Sequence, residues 1–149
     1  MTENIKASIK HEVSLSMKEG NKFRTITLRL IVSAFQVEEI SKKEELNDKE
    51  CIEILEKMIK QRKDSISQFE SAGREELSKK EKDEILIIQE FMPEQLSVEE
   101  IDILIKKVIS ETNAESMKDM GKVMGMLKKL TSGKADAGYI SSEVKKALS

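Results

Sequence analysis

Gly121 and Gly125 stand four residues apart in a stretch, SMKDMGKVMGMLKKLTSGKADAG from Ser116 to Gly138, that also holds Lys118, Lys122, Lys128, Lys129 and Lys134. Met117, Met120, Met124 and Leu127 recur through it at spacings of three and four, with Val123 and Leu130 beside them, which predicts a helix with one apolar stripe. Methionine fills irregular gaps, so the stripe reads as core. Each glycine inside such a helix costs about 0.5 to 1 kcal/mol relative to alanine, and something must offset the loss. Two readings fit the residue types. Either a second helix lies close against a smooth face, or a phosphate or RNA backbone approaches the bare helix while the lysines neutralise it.

A second group of basic residues surrounds Arg62. Ile52, Leu55, Ile59, Ile66 and Phe69 keep a helical rhythm in which Arg62 occupies one apolar position. An unpaired buried charge costs several kcal/mol, so this guanidinium either snorkels outwards or meets a carboxylate, such as Glu81 or Glu84. The alternative is an anion-binding arginine flanked by Lys60, Gln61, Lys63 and Ser65. Lys22, Arg24 and Arg29 add positive charge further upstream, where surface ion pairing is the plainer reading.

Other chemistry finds little support. Cys51 and His11 are the only residues of their kinds, which excludes an internal disulfide and a Cys/His metal cluster. No histidine neighbours a nucleophile, and no glycine-rich phosphate loop or HExxH pattern occurs. Neither a catalytic residue nor a cofactor is expected. The acids alternate with lysines as on exposed helix faces.

Composition sets the frame for these residues. The 149 residues are 38% hydrophobic, 3% aromatic and 36% charged, with one proline, a profile of thin-cored helices with charged outer faces. An aromatic-lined small-molecule cleft is improbable in such a chain. The formal net charge of −2 is unevenly spread, because from Ser116 to Ser149 seven lysines oppose three acids, a local +4 that leaves −6 before it. No long apolar run or cleavage-like segment appears, so a soluble cytoplasmic protein without membrane partners is expected.

Taken in order, Ile5, Ile9, Val13 and Met17 mark a first helix stopped by Gly20. From Asn21, Phe23, Ile26, Leu30, Ile31, Ala34, Val37 and Ile40 form a broad stripe widened by Leu28, Val32 and Phe35, as in a helix central to its bundle. Asn47 with Glu50 is a capping-box candidate for the third helix, which Gly73 ends. Ile85, Leu86, Ile88, Phe91 and Met92 close a fourth helix before Pro93. Ser97 with Glu100 caps a fifth, with Ile101, Leu104, Ile105, Val108 and Ile109 facing inwards. Ser116 with Asp119 starts the sixth, Gly133 stops it, and Asp136 caps a last helix on Ile140, Val144 and Leu148, flanked by Tyr139 and Ala147. The expected architecture is all-α, with a four-helix bundle over residues 1–93 and a three-helix bundle over 94–149.

Three segments carry a family likeness. MKDMGKVMG at Met117 to Gly125, then GKADAG, then a final helix ending Lys145, Lys146, Ala147, Leu148 resemble the tail domain of the B subunit of glutamine-dependent aminoacyl-tRNA amidotransferase. KQRKDSISQFESAGR at Lys60 to Arg74 and EFMPEQLS at Glu90 to Ser97 resemble the YqeY family, the stand-alone form of that tail. Lys22, Arg24 and Arg29 resemble its basic positions too. The resemblance covers nearly the whole chain and implies a link to carbon–nitrogen ligase activity with glutamine as amido donor. The portions that perform that chemistry in the family lie outside the tail, which helps engage the tRNA. The implied role is a tRNA-associated or RNA-binding accessory module, with Lys118, Gly121, Lys122, Gly125, Lys128, Lys129 and Lys134 at the contact and Arg24, Arg29, Lys60, Arg62 and Lys63 as a secondary cluster. The alternative is a helical protein–protein interaction module that does not bind RNA.

Overall fold

Caps and apolar faces delimit seven helices in the computed structural model, which describes residues 4–149. They are α1 (Ile5–Glu19), α2 (Lys22–Lys42), α3 (Asp48–Ser71), α4 (Glu75–Gln89), α5 (Val98–Thr112), α6 (Met120–Thr131) and α7 (Ala137–Leu148), with a 3-10 turn at Met117–Asp119. No strand occurs among the described residues, and the all-α reading is borne out. No described helix is long and apolar enough to cross a membrane. The chain divides into two units, Met1–Met92 and Pro93–Ser149.

Asparagine starts three helices of the N-terminal unit. Asn4 accepts from the Ala7 amide at 2.7 Å and Asn21 from the Arg24 amide at 3.1 Å. Asn47 and Glu50 form the full reciprocal box, at 2.9 and 3.2 Å. Gly20 and Gly73 follow helix ends at φ of 72° and 71°, where a side chain would be strained. Ile9, Leu28, Ile31, Phe35, Cys51, Leu55 and Ile88 are the fully enclosed centre of the core.

Several stripes turn relative to expectation. On α2 the widening set, Leu28 and Phe35 with Ile31, goes into the core, whereas Phe23, Ile26, Leu30, Val37 and Ile40 face outwards. The helix carries large apolar residues on two of its faces, and periodicity alone does not say which of them meets the core. Thr25 and Thr27 go inside as well, because their hydroxyls are satisfied. Thr25 shares a 2.7 Å hydrogen bond with Ser16, and Thr27 donates to the Phe23 carbonyl at 3.1 Å. Met17 is exposed and Ser16 is buried in its place, since steps of four drift by about 40° each around a helix. On α4, Leu86 is exposed and Ile87 buried. That helix also ends earlier than the apolar run, at Gln89. Glu90, Phe91 and Met92 continue with tighter bonds to Ile87, Ile88 and Gln89, so the chain leaves helical geometry before Pro93.

In the C-terminal unit, Ser97 accepts from the Glu100 amide at 3.1 Å, and Asp136 from the Gly138 amide at 3.0 Å. Ile101, Ile105, Val108, Val123, Leu127, Ile140, Val144 and Leu148 form its core. Met120 and Met124 pack against that core, but Met117 and Leu130 are exposed. Met117 lies in the 3-10 turn, whose tighter winding puts it out of phase with α6.

Candidate nucleic-acid interface

The start of α6 is built by Ser116 and Asp119. The Asp119 carboxylate accepts from the Glu115 and Ser116 amides at 2.9 and 3.3 Å, which holds it below the usual aspartate range, with Lys122 adding to the effect. From there Val123, Leu127 and Thr131 point into the core, so the far side of α6 must face solvent.

Gly121 and Gly125 lie on that far side. Among the described residues a Cβ placed on either meets no heavy atom within 4 Å, so none of the described helices uses the smooth face. The close-packing reading of the glycines does not hold. Lys122, Lys128 and Lys129 are exposed and fall within about 80° of the mean direction of the two glycines around the helix axis. Lys118 is exposed in the preceding 3-10 turn and Lys134 in the turn after α6. None of the five is in an ion pair among the described residues. The result is a bare, positively bordered ledge on one helix. Lys128 and Lys129 also sit in the last turn, where cations complement the helix dipole.

The positive charge is local. Over Pro93–Ser149 nine lysines balance nine carboxylates, because Glu99, Glu100, Asp102 and Glu111 of α5 offset the lysines further on. Attraction of an anion would therefore depend on where it lands and not on net charge.

The GKADAG turn has a fastening that periodicity could not reveal. The Gln95 side-chain amide donates to the Gly133 carbonyl at 2.7 Å and to the Pro93 carbonyl at 3.1 Å. The Leu96 amide donates to the Lys134 carbonyl at 2.8 Å. Gly133, buried at φ 74°, turns the chain between these bonds. Two segments that carried the family likeness, EFMPEQLS and GKADAG, thus hold each other and fix the backbone of Lys134.

The basic residues of the N-terminal unit are differently engaged. Arg62 donates from Nε to Glu84 at 2.8 Å and from Nη1 to the Met58 carbonyl at 3.2 Å, the internal pair that the apolar rhythm anticipated. Arg24 grips Glu90 through two bonds, at 2.6 and 2.9 Å, and Glu12 through a third at 3.0 Å. Those guanidiniums are committed to carboxylates. Arg29, Lys60 and Lys63 are exposed without ion pairs among the described residues, Arg29 donating to the Met17 sulfur at 3.3 Å. Cys51 is enclosed in the core, and burial pushes its thiol up to about 11, with Asp48 and Glu39 adding to the effect.

Known proteins resemble the chain over much of its length. It is 34% identical over 94 residues to an uncharacterized protein of Schizosaccharomyces pombe, covering 63% of this chain and 76% of that one. It is 31% identical over 108 residues to altered inheritance of mitochondria protein 41, mitochondrial, of Kluyveromyces lactis, covering 70% of this chain and only 58% of the relative. The protein of the same name in Pyrenophora tritici-repentis is 29% identical over 136 residues, covering 89% and 75%. The family model described as Yqey-like protein matches residues 6–148, and the chain belongs to that family.

Proposed function

We propose that this chain is an RNA-associated accessory module whose C-terminal unit lays the α6 ledge against a phosphodiester backbone, tRNA being the first substrate class to test. The observation that supports this reading is the open space over Gly121 and Gly125: two helix-weakening residues serve no packing contact, and unpaired lysines border them. The bare helix lets a backbone approach, and Lys118, Lys122, Lys128 and Lys129 meet its phosphates. Lys134, on the fastened turn, extends the contact. Arg24 and Arg62 are left out because carboxylates already hold them.

The likeness to the amidotransferase reaches only its tail, so the role proposed is engagement of RNA, and glutamine-dependent amide transfer is assigned to none of these side chains. Relatives with a mitochondrial name widen the expected compartment from the cytoplasm to the mitochondrion. Filter binding of the full chain to bulk tRNA at low ionic strength tests the reading. Saturable binding that Lys122→Glu/Lys128→Glu weakens alike for all tRNAs supports it. Absence of any salt-sensitive association rejects it and leaves protein docking as the function.

A further inference from the structure

The outward face of α2 belongs neither to the core nor to the RNA ledge. Phe23, Ile26, Leu30, Ser33, Val37 and Ile40 follow one another at steps of three, four, three, four and three, the alternation of a coiled-coil seam with one polar position. The run extends for about 26 Å along the helix. Ile26, Val37 and Ile40 are 59, 65 and 77% exposed. One exposed isoleucine is ordinary, but five large apolar side chains in a continuous seam mark an interaction surface.

The borders of the seam decide what covers it. Lys22 and Arg29 line one edge at heptad spacing, Lys43 follows at the left-handed C-cap just past the helix end, and none of the three is in an ion pair among the described residues. A shallow groove on the same edge, between α1 and α2, is floored by Val13 and Val32 and rimmed by Lys10 and Arg29. On the opposite side Thr27 is buried, Ala34 packs against the core and the exposed Ser41 is uncharged. An antiparallel second copy would bring Lys22 against Lys43. A parallel copy would set Lys22 and Arg29 toward the side of Thr27, Ala34 and Ser41, so neither arrangement places a carboxylate of α2 against them.

We propose that the outward face of α2 docks an amphipathic helix of a partner protein, whose apolar seam meets Phe23 to Ile40 and whose flank toward Lys22, Arg29 and Lys43 carries Asp or Glu. Ser33 interrupts the seam and sets its register, as single polar core positions do in coiled coils. The RNA reading is independent of this surface.

Two fluorescent helical peptides with the same apolar seam, one with Glu on its flanks and one with Lys, test the proposal by anisotropy with the full chain. The Glu-flanked peptide should bind saturably, and the Lys-flanked one at least about ten-fold more weakly. Val37→Ser/Ile40→Ser, at side chains outside the core, should abolish binding with the helical circular dichroism unchanged. Lys122→Glu should leave it intact. Lys22→Glu/Arg29→Glu should reverse the preference between the peptides. Equal binding of both peptides, binding of neither, or binding that survives Val37→Ser/Ile40→Ser would overturn the proposal. So would a dimer in sedimentation equilibrium that the same variant dissociates, because the face would then take a second copy.

Discussion

Replacing Gly121 and Gly125 together by alanine separates what the fold requires at these positions from what a ligand requires. Neither added methyl meets an atom within 4 Å, so no steric cost arises. Gly125 lies inside α6, where alanine is better by about 0.5–1 kcal/mol, partly because it restricts the unfolded chain. Gly121 is in the first turn and contributes less. The double variant should gain roughly 1 kcal/mol, which raises the unfolding midpoint of a unit this small by about 4–8 °C. Thermal circular dichroism of the full chain reads that gain. The methyls also stand where a phosphate would approach, and loss of one close contact worth on the order of 1 kcal/mol weakens tRNA binding by about five-fold. A more stable variant with undiminished tRNA affinity would refute the ledge. A less stable variant would show that the fold itself needs the glycines.

Further expectations concern the supports of each unit. Arg62→Ala leaves the buried Glu84 carboxylate without its partner and should cost on the order of 3 kcal/mol in urea unfolding, with tRNA affinity unchanged; a lower affinity in folded protein would return Arg62 to the interface. Gln95→Ala removes the bonds to the Gly133 and Pro93 carbonyls and should lower the stability of the C-terminal unit by about 0.5–1.5 kcal/mol, measurable by hydrogen exchange at the Lys134 amide. The Glu39 carboxylate, hydrogen-bonded by Lys6 and by the Leu46 amide, is held below its ordinary 4.5. Its stabilisation is therefore complete above pH 4.5 and lost as the pH falls through the lower folded value. Urea midpoints should be flat from about pH 5 to 7 and decline below, and Glu39→Gln should make that decline shallower; identical profiles would exclude Glu39 as a contributor.

The helices and their caps were largely legible from local pattern, because Asn47 with Glu50 and Ser116 with Asp119 signal through groups three residues apart. The Arg62 pair was partly legible, since an arginine in an apolar rhythm either snorkels outwards or meets a carboxylate, and Glu84 was one of the two acids offered. The direction of α2 was not. Both of its faces are apolar, and only the packing of α1, α3 and α4 chooses Leu28, Ile31 and Phe35 over Ile26, Leu30 and Val37. The Gln95 clasp also escaped sequence reasoning, since it joins residues 38 apart that belong to no periodic element. At the ledge, residue types allowed packing and ligand approach alike. What separates them is the empty space over both α-carbons, which no spacing rule encodes.

The salt dependence of tRNA binding tests the central claim most directly. Four lysines beside the bare glycines, each meeting one phosphate, give log K against log salt a slope of about −3, and Lys122→Glu/Lys128→Glu should flatten it to about −1. A wild-type slope near zero, or one that the double variant leaves unchanged, would contradict the account.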